Sequence, residues 1–242
     1  MKNNKELFVS VVIPAAGKGS RMNTNKNKQF IKIKGKPVLA ITIEAFQNCS
    51  LIGEIVLVTS KDQIPEFKQD IVDKYGFTKV SSIQDGGYER QQSVLKGLKA
   101  VDGKCDIVLI HDGVRPFISE QMINAVIDAV HEFGAACVCV QQKDSIKVGD
   151  ENDFIRESLD RSKIWIAQTP QAFKYKLVMD AHLSAEKDGF FGNDDSVLVE
   201  RFCKINGLET KVKIVTGQYD NIKITTDEDI IIADVIAESR GN

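Results

Sequence analysis

Short runs of apolar, β-branched residues alternate along this chain with segments whose apolar residues recur at helical spacing. The strand-like runs cover residues 8–13, 54–59, 79–83, 106–111 and 135–140. Uninterrupted Val- and Ile-rich runs are typical of strands that are buried on both faces. Their alternation with helices favours a parallel sheet. We therefore predict an α/β fold, with a mostly parallel sheet and helices on both faces.

The patterns between these runs set the expected helices. The clearest helix follows Ser119, a plausible N-cap, and an earlier one opens at Pro37. The spacing also predicts a helix over 64–75 that ends near Gly76. Later elements are expected at 174–185 (helix), 194–205 (helix), 212–215 (strand) and from Thr226 onward (helix). With no linker long enough to divide it, the chain is expected to form one domain over residues 1–242.

Composition restricts the class of partner and the compartment. The 242 residues carry 32 basic and 34 acidic side chains, a net charge of −2, which implies neither a nucleic acid nor another polyelectrolyte as partner. The five cysteines lack zinc-type spacing and are expected to pack as small apolar residues in a reducing cytoplasm. The chain shows neither a signal peptide nor an apolar run near 18 residues, so neither secretion nor a membrane span is expected.

The first strand-like run leads into a small-residue loop, Pro14-Ala15-Ala16-Gly17-Lys18-Gly19-Ser20-Arg21-Met22. Ligands bind at the carboxyl ends of strands in open α/β sheets. Small residues there let backbone N–H groups approach a polyphosphate closely. Cationic side chains cluster in and after the loop: Lys18, Arg21, Lys26 and Lys28. The loop therefore favours phosphate chemistry.

Two well-known phosphate-binding motifs do not match this loop. It is not a P-loop, because no Gly-Lys-Ser/Thr closes it at the required spacing. Gly17-Lys18-Gly19 begins a dinucleotide fingerprint, but Met22 stands where the third Gly or Ala belongs. A plain strand-to-helix turn with solvated lysines stays open.

Asp112 follows another apolar strand and should project at the carboxyl edge of the sheet, facing the first loop. A carboxylate beside a polyphosphate is best explained by Mg²⁺, which prefers oxygen ligands and substrate phosphates. A helix cap or an ion pair with Arg115 is the alternative. Arg115 is itself a candidate anion contact or salt-bridge partner.

Two further segments are candidates for ligand contact. Gly86 and Gly87, with Ser93 in the next helix, could hydrogen-bond a planar base through backbone groups, although a bare turn explains them equally well. Lys223 is expected near the end of a late strand, available to an acidic substrate. The three histidines lack metal-ligand or triad spacing, and none is assigned a role.

The polar stretch 141–164 interrupts the strand and helix pattern. Its charged residues alternate around a Gly149-Asp150-Glu151-Asn152 turn, which is typical of a hairpin that leaves the main sheet. Either it is a solvated surface hairpin or it is an arm that reaches a second subunit.

Taken together, the segments resemble the 2-C-methyl-D-erythritol 4-phosphate cytidylyltransferase family of the non-mevalonate isoprenoid pathway. The resemblance covers nearly the whole chain. Besides the first loop with Lys28-Gln29, it is carried by Gly86-Gly87-Tyr88-Glu89-Arg90-Gln91-Gln92-Ser93-Val94, His111-Asp112-Gly113-Val114-Arg115-Pro116, Lys143-Asp144-Ser145-Ile146-Lys147, Gln168-Thr169-Pro170-Gln171 and Asn221-Ile222-Lys223-Ile224-Thr225.

The resemblance implies a fold, an activity and a set of site residues. The fold would be a Rossmann-like sheet of the nucleotide-diphospho-sugar transferase type, with the hairpin as a homodimerisation arm. The activity would be transfer of a cytidylyl group from CTP to a polyol phosphate. The implied nucleotide-binding residues are Ala15, Ala16, Gly17, Gly19, Gly86, Gly87, Ser93 and Gly113.

The resemblance also implies the roles of the charged residues. Arg21 and Lys28 would stabilise the transition state, and Asp112 would hold Mg²⁺. Arg161 and Lys223 would position the sugar phosphate, with Arg161 acting across the dimer. The implied substrate-binding residues are Arg115, Ser145 and Asp220.

Departures from the family pattern and two rival functions remain. Asn27 stands where Pro is usual, Ser145 replaces Thr, and Asn193-Asp194-Asp195 replaces Thr-Asp-Glu. One rival is the ribitol-5-phosphate cytidylyltransferase family. Val114 and Phe117 slightly favour that family, whereas Pro14-Ala15-Ala16-Gly17 favours the methylerythritol phosphate family. The other is a nucleotide-binding protein that keeps the fold without turnover.

Overall fold

The apolar runs of the sequence become the central strands of one sheet in the computed structural model, which describes residues 7–17 and 28–241. Within these residues the strands are β1 (Val9–Pro14), β2 (Lys32–Ile33), β3 (Lys36–Pro37), β4 (Ile52–Thr59), β5 (Val80–Asp85), β6 (Ile107–Ile110), β7 (Ala135–Gln141), β8 (Ile146–Gly149), β9 (Ile155–Leu159), β10 (Trp165–Lys174) and β11 (Lys213–Thr216). The helices are α1 (Val38–Asn48), α2 (Ile64–Glu66), α3 (Arg90–Ala100), α4 (Glu120–Phe133), α5 (Tyr175–Asp188), α6 (Asp195–Ile205) and α7 (Asp227–Ser239).

In the described part of the chain, seven strands form the main sheet in the order β11-β7-β10-β6-β1-β4-β5. Strand β1 pairs in parallel with both β4 and β6, and β11 pairs in parallel with β7. Strand β10 is antiparallel to both of its neighbours, β6 and β7. The sheet is thus mostly parallel, as predicted, with one antiparallel strand that the apolar pattern did not predict.

Side chains from successive strand residues enter different cores, which explains why the strands are apolar on both faces. Ile13 packs in a core with Leu39 of α1, whereas the preceding residue, Val12, packs in a second core with Leu98 of α3. All four side chains are fully buried. Helices therefore cover both faces of the sheet, and the α/β prediction is confirmed.

Helix α3 approaches the sheet closely because Gly97 has no side chain. A Cβ atom added at Gly97 would lie 2.4 Å from Cγ1 of Val12 and 2.9 Å from Cγ2 of Val58. Both valines are fully buried in β1 and β4 and cannot move aside easily. Because α3 begins at Arg90, shortly after the Gly86–Gly87 turn, this close approach also sets how near that turn lies to the end of β1.

The helix predicted over 64–75 is present but wound differently. After α2 it continues as a π-helix over Phe67–Asp73, and the chain turns at Gly76, whose φ is +66°. Phe67 and Ile71 are its fully buried residues. The apolar spacing predicts one buried face and does not distinguish a π turn from an α turn.

The expectation that Lys223 ends a strand is wrong. The described segment 217–226 contains no strand, and the backbone N–H of Ile224 donates to the carbonyl oxygen of Val114 at 3.0 Å. Ile224 and the partly buried Ile222 pack in a small core with Ala233 of α7. The alternation that resembled a strand therefore reflects packing against a helix.

The polar stretch 141–164 does contain a hairpin. Strands β8 and β9 pair antiparallel, with Ile146 opposite Leu159, in a two-stranded sheet separate from the main one. Asp150 organises the turn, because its Oδ1 accepts hydrogen bonds from the backbone N–H groups of Asn152 and Phe154. Most of the hairpin is exposed, including the Phe154 ring, so it packs little against the rest of the chain.

All five cysteines are buried and free of disulfides, in agreement with their expected role as small apolar residues. Cys137 and Cys139 are neighbours on one face of β7 and lie in the core rather than at the surface. No helix formed by residues 7–17 or 28–241 has both the length and the apolar character needed to cross a membrane.

Candidate active site

A cavity of about 230 Å³ opens at the carboxyl ends of β1 and β6. Pro14, Ala16 and Gly17 line it from the first loop, and Asp112 lines it from the end of β6. The predicted carboxylate and the predicted phosphate loop therefore share one cleft. Two other candidates from this loop, Gly19 and Arg21, lie outside the described residues.

Lys28 lies across the first loop. A Cβ atom added at Gly17 would be 3.3 Å from Cε of Lys28, so the lysine stem covers the glycine. The next residue, Gln29, is buried and donates a hydrogen bond from Nε2 to the carbonyl oxygen of Ala15 at 2.7 Å. Lys28 is therefore held beside the turn by its neighbour, and its side chain lines the cleft.

Asp112 is the centre of a cationic cluster. Its Oδ1 accepts a hydrogen bond from Nε of Arg90 at 3.2 Å, and its Oδ2 is 2.8 Å from Nζ of Lys223. Nε of Arg115 is 3.8 Å from the same Oδ2. Burial opposes ionisation of this carboxyl group, but Arg90 and Lys223 outweigh it and hold the pKa of Asp112 well below its usual value. Asp112 is thus a carboxylate at neutral pH.

Buried side chains hold the Asp112 backbone from behind. The hydroxyl of Thr169, in β10, accepts a hydrogen bond from the N–H of Asp112 at 3.1 Å and lies 3.1 Å from Nδ1 of His111. Nε2 of His111 is 3.0 Å from the carbonyl oxygen of Arg115. Burial lowers the pKa of His111 to about 4, so the ring is neutral at neutral pH and bridges the two ends of the loop. His111 thus braces the loop, a contact that sequence spacing did not indicate.

The turn before α3 forms another wall and leads into an adjoining cavity of about 950 Å³. Both Gly86 and Gly87 line that cavity, which shares Ala16 and Gly17 with the first one. A Cβ atom at Gly86 would be 2.9 Å from Oγ of Ser93 and 3.2 Å from Cβ of Ala16. Only glycine therefore lets this turn approach the first loop so closely. Ser93 fixes the turn further, because its hydroxyl accepts a hydrogen bond from the N–H of Gly87 at 3.0 Å.

The segment that carries Lys223 is held by a buried amide. Asn221 is fully buried, and its Nδ2 donates to Oε1 of Gln168 and to the carbonyl oxygen of Thr169. Its own carbonyl oxygen accepts a hydrogen bond from Nη1 of Arg115 at 2.8 Å. These bonds tie the segment to β10 and to the Asp112 loop, and so they aim Lys223 at the carboxylate.

Six candidates from the sequence line neither the cleft nor the adjoining cavity as the described residues form them. Ala15 is buried beneath the first loop, where its carbonyl oxygen accepts the hydrogen bond from Gln29. Arg115 forms an ion pair with Asp112 and donates a hydrogen bond to the carbonyl oxygen of Asn221. It is therefore a salt-bridge partner, which is one of the two roles considered for it from the sequence. Gly113 is buried against β1, where its N–H donates to the carbonyl oxygen of Pro14. Asp220 is ion-paired with Arg240 at 2.6 Å. Ser145 and Arg161 are exposed near the hairpin, and Arg161 donates to the carbonyl oxygen of Lys143.

Sequence reasoning missed Arg90 as a site residue. It lines the cleft and contacts both Asp112 and Asp195. Its position at the first residue of a helix that follows a double-glycine turn was a usable signal. Its pairing with Asp195 could not be predicted from the sequence, because the two residues lie far apart in the chain. They meet only where the start of α3 lies near the start of α6.

The described residues contain no cluster of three or more His, Cys, Asp or Glu side chains that could hold a metal ion by themselves. Asp112 nevertheless suits a single Mg²⁺ ligand. It is ionised and lies in the cleft, and Arg90 and Lys223 each contact a different oxygen, which leaves acceptor capacity on the carboxylate. Mg²⁺ is commonly held by one or two carboxylates together with substrate phosphates. The donor set therefore fits a metal that arrives with a polyphosphate.

Comparison with known proteins identifies the family. The sequence profile of the IspD family, 2-C-methyl-D-erythritol 4-phosphate cytidylyltransferase, matches residues 9–239. The enzyme of that name from Clostridium acetobutylicum is 48% identical over 225 residues, which cover 93% of this chain and 95% of the relative. The relative from Caldanaerobacter subterraneus is 45% identical over 94% of this chain and 97% of its own length.

A solved structure supports the same assignment. The crystal structure of 4-diphosphocytidyl-2C-methyl-D-erythritol synthase from Anaerococcus prevotii superposes with a TM-score of 0.84 at 36% identity, covering 96% of this chain and 97% of that one. Sequence and fold therefore agree over nearly the whole length. The chain belongs to the 2-C-methyl-D-erythritol 4-phosphate cytidylyltransferase family.

Proposed function

We propose that this enzyme transfers a cytidylyl group from CTP to 2-C-methyl-D-erythritol 4-phosphate, giving 4-diphosphocytidyl-2-C-methyl-D-erythritol and pyrophosphate for isoprenoid precursor biosynthesis. The family and the names of its relatives support the reaction. The observation that carries it structurally is the cleft in which the Pro14–Gly17 turn, Lys28 and Lys223 surround the ionised Asp112. Such a cleft suits a nucleoside triphosphate and a second phosphate together.

In the proposed reaction the protein itself forms no covalent bond with either substrate. A phosphate oxygen of the polyol phosphate attacks the α-phosphorus of CTP, a new P–O bond forms, and the bond to the β-phosphate breaks as pyrophosphate leaves. A phosphate monoester is already ionised near neutral pH, so no general base is needed. Catalysis then depends on alignment of the two phosphates and on stabilisation of the charge that grows on the oxygens of the α-phosphate.

The cations of the cleft divide this work. Lys28, held beside the first loop, contacts the α-phosphate as charge builds up. The family resemblance gives Arg21, which lies outside the described residues, the same role. Lys223, which lines the same cleft, binds the incoming phosphate, for which it exchanges its contact with Asp112. Preorganised charges of this kind act mainly on the transition state, because they do not need to reorient during the reaction.

Asp112 is the residue that would hold Mg²⁺ in the complex with CTP. An ion held there would supply positive charge to the triphosphate, which would make pyrophosphate a better leaving group. The base and ribose of CTP then extend towards the adjoining cavity, which the Gly86–Gly87 turn lines with backbone groups, while Ser93 lines the first cavity beside that turn.

In this proposal the chain forms a single domain, and the hairpin β8–β9 is an arm that contacts the second subunit of a homodimer. It is exposed, carries apolar side chains such as Phe154 and Ile155 at its surface, and holds Ser145 and Arg161 away from its own cleft. In a homodimer these two residues serve the site of the neighbouring subunit. The five thiols, all reduced and buried, support a cytoplasmic location for the enzyme.

A substrate comparison tests the reaction. With CTP and Mg²⁺, pyrophosphate release is expected with 2-C-methyl-D-erythritol 4-phosphate and not with ribitol 5-phosphate, because the relatives carry the former name. Turnover only with ribitol 5-phosphate would assign the enzyme to the rival family. No turnover with either substrate, in a protein that still binds CTP, would favour the binding protein without catalysis.

Mixing two inactive variants tests the shared site. Chains with Arg161→Ala lack the arm cation, and chains with Lys28→Ala lack the cation of the first loop. If Arg161 acts across a dimer, each mixed dimer contains one complete site, and an equal mixture is expected to regain about one quarter of wild-type activity. Mixed dimers that form but stay inactive would contradict a shared site, and so would full activity of Arg161→Ala alone.

A further inference from the structure

Asp195, the first residue of α6, is a buried carboxylate with two charged or polar partners. It is 1% exposed. Its Oδ2 is 2.8 Å from Nη1 of Arg90, and its Oδ1 is 3.1 Å from Nε2 of the fully buried His182. A buried charge is costly unless it is paired and hydrogen-bonded. The ion pair with Asp195 therefore restricts the Arg90 side chain to one position.

Arg90 passes this constraint on to the cleft. Its guanidinium group contacts Asp195 through Nη1 and Asp112 through Nε, at 2.8 and 3.2 Å. The guanidinium fork is planar and rigid, so fixing one edge against Asp195 also fixes the nitrogen that faces Asp112. A lysine ammonium is a point charge on a flexible stem and cannot hold both carboxylates in this geometry.

The start of α6 is itself anchored to the sheet. Gln171 of β10 donates from Nε2 to Asp194 at 3.0 Å, and its Oε1 accepts a hydrogen bond from the N–H of Ser196 at 3.0 Å. The same strand carries Thr169, which binds the backbone of Asp112. Asp112 is therefore held from two directions, through its backbone by β10 and through its side chain by the bridge from Asp195.

We propose that Asp195 is a positioning residue for nucleotidyl transfer: through Arg90 it orients the Asp112 carboxylate towards the divalent cation of the CTP complex. The inference rests on the proposed function and concerns the same site. Asp195 does not line the cleft that the described residues form, so it acts on the ligand only through Arg90. The closest alternative is a purely structural ion pair that joins α3 to α6.

Asp195→Asn tests the proposal, because it keeps the size of the side chain and removes its charge. Residues that hold a metal ligand in place typically contribute 10- to 100-fold to metal affinity or activity. The affinity of Mn²⁺ for the enzyme–CTP complex, measured by electron paramagnetic resonance without the polyol phosphate, is expected to fall by about 10- to 100-fold. CTP affinity without metal should change little. Asp195→Glu, which keeps the charge, is expected to restore most of the Mn²⁺ affinity.

The matched control is Asp188→Asn, at an exposed ion pair with Arg201, which should leave Mn²⁺ affinity unchanged. A folded Asp195→Asn variant with wild-type Mn²⁺ affinity would overturn the proposal. If that variant does not fold, Arg90→Lys replaces it; a loss of Mn²⁺ affinity at unchanged metal-free CTP affinity supports the proposal, and no loss overturns it.

These results remain distinguishable from the fate of the proposed function. A wild-type enzyme that binds Mn²⁺ with CTP but does not turn over the methylerythritol phosphate would refute the reaction and leave the positioning comparison readable. A wild-type enzyme that gains no Mn²⁺ affinity in the presence of CTP would refute the positioning role of Asp195 directly.

Discussion

Replacing Lys28 with alanine is expected to lower kcat by about 100- to 1,000-fold, the usual effect of losing one preorganised contact to developing charge. The affinity for CTP should change much less, since in the proposed mechanism several backbone and side-chain groups bind the triphosphate while Lys28 acts mainly as charge grows on the α-phosphate. Single-turnover rates combined with equilibrium binding of CTP would separate the two effects.

Lys32→Ala is the control for this measurement. Lys32 is an exposed lysine on β2, close to Lys28 in sequence, and it does not line the cleft as described. Replacing Lys32 with alanine should leave both kcat and the affinity for CTP unchanged. If Lys28→Ala weakened CTP binding as much as it slowed turnover, the lysine would be a simple substrate anchor and its assigned role would be wrong.

Replacing Gly97 with alanine is expected to destabilise the enzyme by about 2 kcal/mol or more, although alanine is the better helix former. The added methyl group would meet Val12 and Val58 at 2.4 and 2.9 Å, far inside contact distance. Overpacking a core typically costs about 1–3 kcal/mol and occasionally more, and a clash this severe falls at about 3 kcal/mol or above. Subtracting the gain of about 1 kcal/mol in helix propensity leaves the net loss of about 2 kcal/mol or more. Thermal unfolding should show a Tm lower by about 4–8 °C.

Gly103→Ala is the matched control, because a Cβ atom there meets nothing within 4 Å. Its Tm should stay close to that of the wild type. A Gly97→Ala variant as stable as the wild type would show that α3 can move off the sheet at little cost. In that case the position of the Gly86–Gly87 turn would not depend on this contact.

The part of the site that lies directly after strands β1 and β6 could be predicted from the sequence. Apolar β-branched runs predicted β1 and β6, and parallel strands end at a common edge, so the first loop and Asp112 were expected to face each other. The hairpin was also accessible, because its composition differs from that of the core strands. Each of these inferences needs only local pattern and one general rule of sheet geometry.

The other half depends on contacts that local pattern does not encode. Strand β10 enters the sheet antiparallel between β6 and β7, which no periodicity indicates. Lys223 reaches Asp112 from a segment without regular structure, held by the buried amide of Asn221. The bridge from Asp195 through Arg90 joins two helices about a hundred residues apart in the chain. Such pairings become visible only when the elements have packed.

The antiparallel direction of β10 has a consequence for how this architecture can diversify. Strand β7 ends, and β10 begins, at the edge of the sheet that carries the cleft, so the intervening hairpin is inserted between two fixed points beside the ligands. Its length and composition can vary without disturbing a ladder in the core. With the roles proposed for Ser145 and Arg161, recognition of the acceptor can therefore evolve separately from the residues that bind the nucleotide.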